Sequence, residues 1–91
     1  MLKIEFTKQS DKFLKKLLPK HKRQVSRKIQ NLLENPFPND SRLLKGTPGF
    51  YRVDIGEYRI CYAVSADVLI IGLVGKRNDD EVYRKFKRLL N

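Results

Sequence analysis

Arg52, Arg59, Arg77 and Tyr83 are the residues of this sequence best suited to chemistry, and the chemistry they suit is that of a phosphodiester. A guanidinium presents a planar fork of donors to phosphate oxygens and stabilises charge that builds on a phosphate in flight. A tyrosine ring stacks on an unpaired base. Other chemistries lack their groups. There is one histidine, His21, and one cysteine, Cys61. The run Asp79, Asp80 and Glu81 reads as helix-start residues favoured by the helix dipole, so neither a metal nor a cofactor is expected. Phosphate-binding glycine loops, dinucleotide fingerprints and Ser-His-Asp arrangements are all missing. His21 lies in a basic helical stretch and reads as a surface residue rather than a base.

The elements that must position these residues can be read from pattern. Residues 50–55 and 58–64 are β-rich runs separated by Gly56-Glu57, and glycine at the first central position suits a type II′ hairpin. That turn sets Ile55 opposite Tyr58 and Asp54 opposite Arg59. Alternation then places Arg52, Asp54, Arg59 and Cys61 on one face, with Val53, Ile55, Tyr58 and Ile60 on the other. Val68 to Val74 is apolar without a break, as expected of a strand covered on both faces at the centre of a sheet. Gly75-Lys76-Arg77 ends it, and Asn78 with Glu81 resembles a capping box for a last helix over 79–90. Tyr83, on its first turns, is expected to face the site rather than the core, beside an apolar stripe of Val82, Phe86, Leu89 and Leu90.

Upstream, Leu2, Ile4 and Phe6 alternate with polar residues as in a half-buried strand. Thr7 can cap a helix carrying Phe13, Leu14, Leu17 and Leu18 on one face and stopped by Pro19. Val25, Ile29, Leu32 and Leu33 mark a second helix that ends at Asn35-Pro36. Residues 36–40 and 46–49 have turn chemistry and flank a short basic stretch, Arg42 to Lys45. The order β-α-α-β-β-β-α predicts one α+β domain over residues 1–91: an antiparallel four-stranded sheet, an N-terminal helical hairpin and a C-terminal helix.

Composition narrows the partner. Twenty Lys and Arg against ten Asp and Glu give a formal charge of +10 on 91 residues, and a polyanion is the expected ligand. Counterion release would give such binding affinity without sequence preference. The outer sides of the two helices, from Lys8 to Lys28, are almost uniformly cationic and suit contact with an RNA backbone as well as solvation. A lone cysteine argues for a reducing cytoplasm, and no window is apolar enough for a signal peptide or membrane span, so no membrane partner is expected.

The segments Leu44-Lys45-Gly46, Phe50-Tyr51-Arg52-Val53, Tyr58-Arg59-Ile60-Cys61-Tyr62, Val74-Gly75-Lys76-Arg77 and Glu81-Val82-Tyr83 resemble toxins of the RelE/ParE superfamily, RelE in particular, over essentially the whole chain. The resemblance implies a type II toxin–antitoxin toxin: a ribosome-dependent, metal-independent endoribonuclease that cleaves translated mRNA in the A site and inhibits translation. It also implies a cognate antitoxin, a toxin–antitoxin hetero-oligomer and contacts from the basic helices to 16S rRNA of the 70S ribosome. By the same resemblance Arg52 matches a basic catalytic-site residue, Arg59 and Arg77 the phosphate-contacting arginines, and Tyr83 the tyrosine that stacks on or assists the reacting nucleotide. Lys45 and Lys76 would strengthen the field around RNA.

The sequence departs from the family at Asp54, where a second lysine is usual. Attack by a ribose 2′-hydroxyl on its own 3′-phosphate needs a base, and Asp54 is a candidate; an ordinary Asp, with a pKa of about 3.9, is a weak one. The other reading of Asp54, an ion pair that positions Arg59, is favoured. Two functions of other classes stay open: a ParE-like toxin that poisons DNA gyrase, and an RNA- or ribosome-binding module without catalysis.

Overall fold

The computed structural model describes residues 1–90, with side chains through Arg88. Its elements run β1 (Lys3–Phe6), α1 (Lys8–Lys16), α2 (Pro19–Glu34), β2 (Arg42–Leu43), β3 (Phe50–Ile55), β4 (Tyr58–Ser65), β5 (Val68–Lys76) and α3 (Asp80–Leu90). The class is α+β as expected, but the sheet is five-stranded and mixed, in the order β1-β5-β4-β3-β2. The four-stranded antiparallel expectation fails at both edges. β2 is two residues long, too short for any period to reveal, and pairs antiparallel with β3. β1 pairs parallel with β5, Ile4 beside Leu69 and Phe6 beside Ile71; the helical hairpin between them carries the chain far enough for parallel return. The middle strand is therefore β4, with β5 next to it.

Thr7 caps α1 through its side-chain oxygen, which accepts from the Ser10 N–H at 3.3 Å. The first helix ends two residues earlier than its apolar face suggests, leaving Leu18 69% exposed. Pro19 opens α2 rather than merely closing α1, because the first turn of a helix has no use for the missing donor. α2 buries Val25, Ile29 and Leu32 against Val53, Ile60, Tyr62, Leu69 and Ile71 on one face of the sheet. Each such aliphatic side chain contributes roughly 1.5–3 kcal/mol by leaving water. His21 is half-buried here, its ring edge-on to Tyr58 at 5.4 Å, and so is not a free surface residue.

The opposite face carries a second, smaller core of Leu44, Cys61, Leu73, Tyr83 and Phe86 beneath α3. One irregularity makes it possible. Cys61 pairs with Leu73 but Tyr62 with Ile71, so Gly72 is an extra residue in β5. A bulge of this kind shifts the alternation by one. Ile71 and Val74 thus face the helical hairpin while Leu73 faces α3. Beyond β1 the parallel ladder is continued by side chains. The Gln9 amide donates to Val74 O at 2.9 Å and accepts from Val74 N at 3.1 Å, and the Thr7 hydroxyl donates to Gly72 O at 2.7 Å.

The hairpin that matters for the site forms as its sequence dictates. Gly56 has φ +58°, Glu57 is not left-handed, and the register sets Ile55 against Tyr58 and Asp54 against Arg59. The start of α3 differs from expectation: Asp79, not Asn78, supplies the cap, its Oδ1 accepting from the Val82 N–H at 3.4 Å. The Asp79 N–H is itself held by Lys76 O, which fixes the turn one residue later than a capping box on Asn78 requires. No helix of the described chain is long and apolar enough to cross a membrane.

Candidate functional site

Over the second core, between β2, the β3–β4 hairpin and α3, lies an open cleft of about 510 Å³. Its lining holds five cations, Lys45, Arg52, Arg59, Arg84 and Lys87, and one carboxylate, Asp80; Leu43, Leu44 and Tyr83 complete it. Arg52 and Arg59 reach the cleft because the hairpin's alternation turns them to the face that α3 only partly covers. Arg42, beside Arg52 in the register, is drawn away: its Nη1 donates to Asn39 O and Ser41 O, both at 2.8 Å.

Arg59 is held from two sides. Its Nε donates to Asp54 Oδ1 at 2.7 Å and its Nη2 to Asp54 Oδ2 at 3.4 Å, while its guanidinium lies 5.2 Å from the centre of the Tyr83 ring. A forked ion pair with a cation–π contact is a geometrically demanding arrangement that few rotamers satisfy. The hydrogen bond from Arg59 holds the Asp54 carboxyl below its ordinary value, with the charges of Arg59, Arg52 and Arg77 adding to the effect. A carboxylate so held is a poor proton acceptor, which favours the positioning reading of Asp54.

The same shift has a consequence for stability. Because the folded-state value is depressed, the stabilisation is present above the unfolded value of about 3.9 and is lost as pH falls through the folded one. Asp54→Asn should therefore be less stable than the parent at neutral pH, with the difference narrowing below about pH 4. Denaturant melts at pH 7 and pH 3 check this.

Tyr83 lines the cleft with only a small part of its surface instead of standing open to it as expected, because it is buried, at 6% relative exposure. Its ring packs on Leu44, Cys61, Leu73 and Phe86, and its hydroxyl donates to Lys76 O at 2.8 Å. Burial raises its pKa, so the phenol keeps its proton. The apolar stripe explains this placement: Val82 and Phe86 pack into the second core and take Tyr83 with them. The Leu89 and Leu90 side chains of that stripe lie outside the described residues. Cys61, in the second core beneath the cleft, is buried and its thiol is pushed up to about 12, so it stays a thiol.

Of the expected site residues, the cleft gathers Arg52, Arg59, Tyr83 and Lys45. Asp54 stands behind Arg59. Arg77 and Lys76 are exposed and outside the lining, although the Arg77 charge is felt at Asp54. The Arg77 N–H donates to Glu57 O at 3.0 Å, which ties this end of β5 to the hairpin tip. Sequence reasoning missed Asp80, Arg84 and Lys87. Their spacing was the available signal, since positions 80, 83, 84 and 87 fall on one face of a helix. The cationic sides of α1 and α2 lie across the sheet from this cleft, beyond the larger core.

Among the described residues no group of three or more His, Cys, Asp or Glu is placed to hold a metal ion.

The family described as ParE toxin of type II toxin-antitoxin system, parDE, matches residues 4–81. A protein described as a candidate toxin, RelE1, of Methanocaldococcus jannaschii is 35% identical over 79 residues, covering 81% of this chain and 88% of that one. The isolated RelE toxin of E. coli superposes with a TM-score of 0.75 at 28% identity, over 99% of this chain and all of the other. The toxin of the archaeal RelE-RelB complex from Pyrococcus horikoshii OT3 gives 0.73 at 28% identity, over 86% and 97%. The chain belongs to the RelE/ParE superfamily of toxins from type II toxin–antitoxin systems.

Proposed function

We propose that the protein is a ribosome-dependent endoribonuclease that cleaves translated mRNA in the ribosomal A site and so inhibits translation. The observation that carries this reading is the cleft itself: five cations around an open floor, with Arg59 locked by Asp54 and Tyr83 before any substrate arrives. Preorganised cations lower the energy of a transition state in which charge grows on phosphate oxygens. Arg52 and Arg59 bind the scissile phosphate. Lys45, Arg84 and Lys87 hold its neighbours, and Arg77 with Lys76 extends the path of the message past the rim. Tyr83 serves by holding Arg59, not by stacking on a base.

In this reading the ribose 2′-hydroxyl attacks its own 3′-phosphate, leaving a 2′,3′-cyclic phosphate and a 5′-hydroxyl, with no metal required. The ribosome aligns the message, which removes much of the entropic barrier. The cationic sides of α1 and α2 suit contact with the backbone of 16S rRNA. A cognate antitoxin, in a cytoplasmic hetero-oligomer, restrains the activity; the E. coli and Pyrococcus relatives are known in complexes of RelE with RelB.

The family match, whose description names ParE, supports a second reading as a gyrase poison. Induction without a partner separates the two. Growth arrest with new 5′ ends inside codons, seen by primer extension on translated messages, supports the nuclease. Arrest with intact messages and DNA damage supports gyrase poisoning instead.

A further inference from the structure

We infer that Asp80 is the proton acceptor for the ribose 2′-hydroxyl in the cleft, an inference that rests on the nuclease reading above. It is the only carboxylate lining the cleft, and among the described residues its side chain makes no ion pair and no hydrogen bond. The other acidic or polar candidates are committed elsewhere. Asp54 accepts both bonds from Arg59, the Tyr83 hydroxyl donates to Lys76 O, and Cys61 is buried beneath the floor. His21 packs against Tyr58 on the far side of the sheet.

The first turn of α3 favours the negative charge of Asp80 through the helix dipole, but the cleft surrounds that charge with five cations. A negative charge among five cations weakens attraction for RNA phosphates, so if it were merely decorative its removal would help binding and leave or improve cleavage. A base gives the opposite result. In the step, the 2′-O–H bond breaks and its proton passes to an Asp80 oxygen while the 2′-oxygen bonds to phosphorus. The bond from phosphorus to the 5′-oxygen breaks, its electron pair stays on that oxygen, and a solvent water protonates it. The hydroxide so formed takes the proton that Asp80 releases, restoring the carboxylate. Arg52 and Arg59 carry the charge on the non-bridging oxygens throughout.

The test uses the full chain with ribosomes programmed so that a cleavable codon occupies an empty A site. Single-turnover cleavage is compared for the parent, Asp80→Asn and Asp80→Glu. Binding is measured to the same ribosomes carrying a message with a 2′-deoxy sugar at the cleavage position. The expected result is a fall of about 100-fold in the cleavage rate of Asp80→Asn, the low end for a general base, with binding equal to or tighter than that of the parent. Asp80→Glu should recover part of the rate. Cleavage by Asp80→Asn at the parental rate or faster overturns the assignment while leaving the nuclease reading intact, as does a loss of binding that accounts for the loss of rate. A parent that cuts nothing sinks the nuclease reading and this assignment with it.

Discussion

Arg59→Ala is expected to abolish growth arrest and to lower single-turnover cleavage on the ribosome by about 10²- to 10³-fold, the usual cost of removing one preorganised donor from a charge-stabilising site. Arg59 is singled out over its neighbours because it is the cation with a fixed direction. Lys45 and Arg84 are exposed, whereas the Arg59 side chain is only 21% exposed and held by two groups. Arg59→Lys should recover little, since an ammonium keeps the charge but loses the fork that meets both Asp54 oxygens. The alanine change also leaves a partly buried carboxylate unpaired, so Arg59→Ala with Asp54→Ala is the needed control. If the double variant is as stable as the parent and still inactive, lost chemistry rather than lost folding is the cause. Parental cleavage by Arg59→Ala would remove the cleft's central cation from the mechanism.

Gly72→Val is expected to destabilise the protein by about 1–3 kcal/mol through overpacking. For a domain of this size that is a fall in Tm of roughly 4–8 °C per kcal/mol, read in a thermal melt. A Cβ at Gly72 would stand 2.9 Å from Phe86 Cζ and 3.0 Å from Phe50 Cε2, two rings already packed edge to face at 5.4 Å. Neither ring can give way without disturbing the other, and Phe86 lies on α3. Displacing α3 shifts Tyr83, Arg84 and Lys87 together, so cleavage should fall along with stability. Phe86→Leu added to Gly72→Val frees part of the space and should raise the Tm again. An unchanged Tm in Gly72→Val would mean that α3 is not seated on the bulge.

What was legible in the sequence is what short-range forces decide. Gly56 and the alternation around it determine a two-residue turn, its register and hence the facing of Arg52, Asp54 and Arg59, because turn geometry and the period of a strand act over a few residues. The two helices of the hairpin are legible for the same reason, down to the cap on Thr7. The tertiary structure alone decided the rest. Nothing local in Leu2 to Phe6 says that its partner is β5 some 65 residues away, or that two residues, Arg42 and Leu43, close the far edge of the sheet. The bulge at Gly72 turns an unbroken apolar run into a strand serving two cores, and it seats α3 so that Tyr83 is drawn under Arg59 while Arg77 stays outside the cleft. Asp80, Arg84 and Lys87 become part of the site by that docking. Their surroundings depend on which distant surfaces α3 covers, and burial of apolar area, being non-directional, leaves no mark of its chosen partner in the pattern of a single segment.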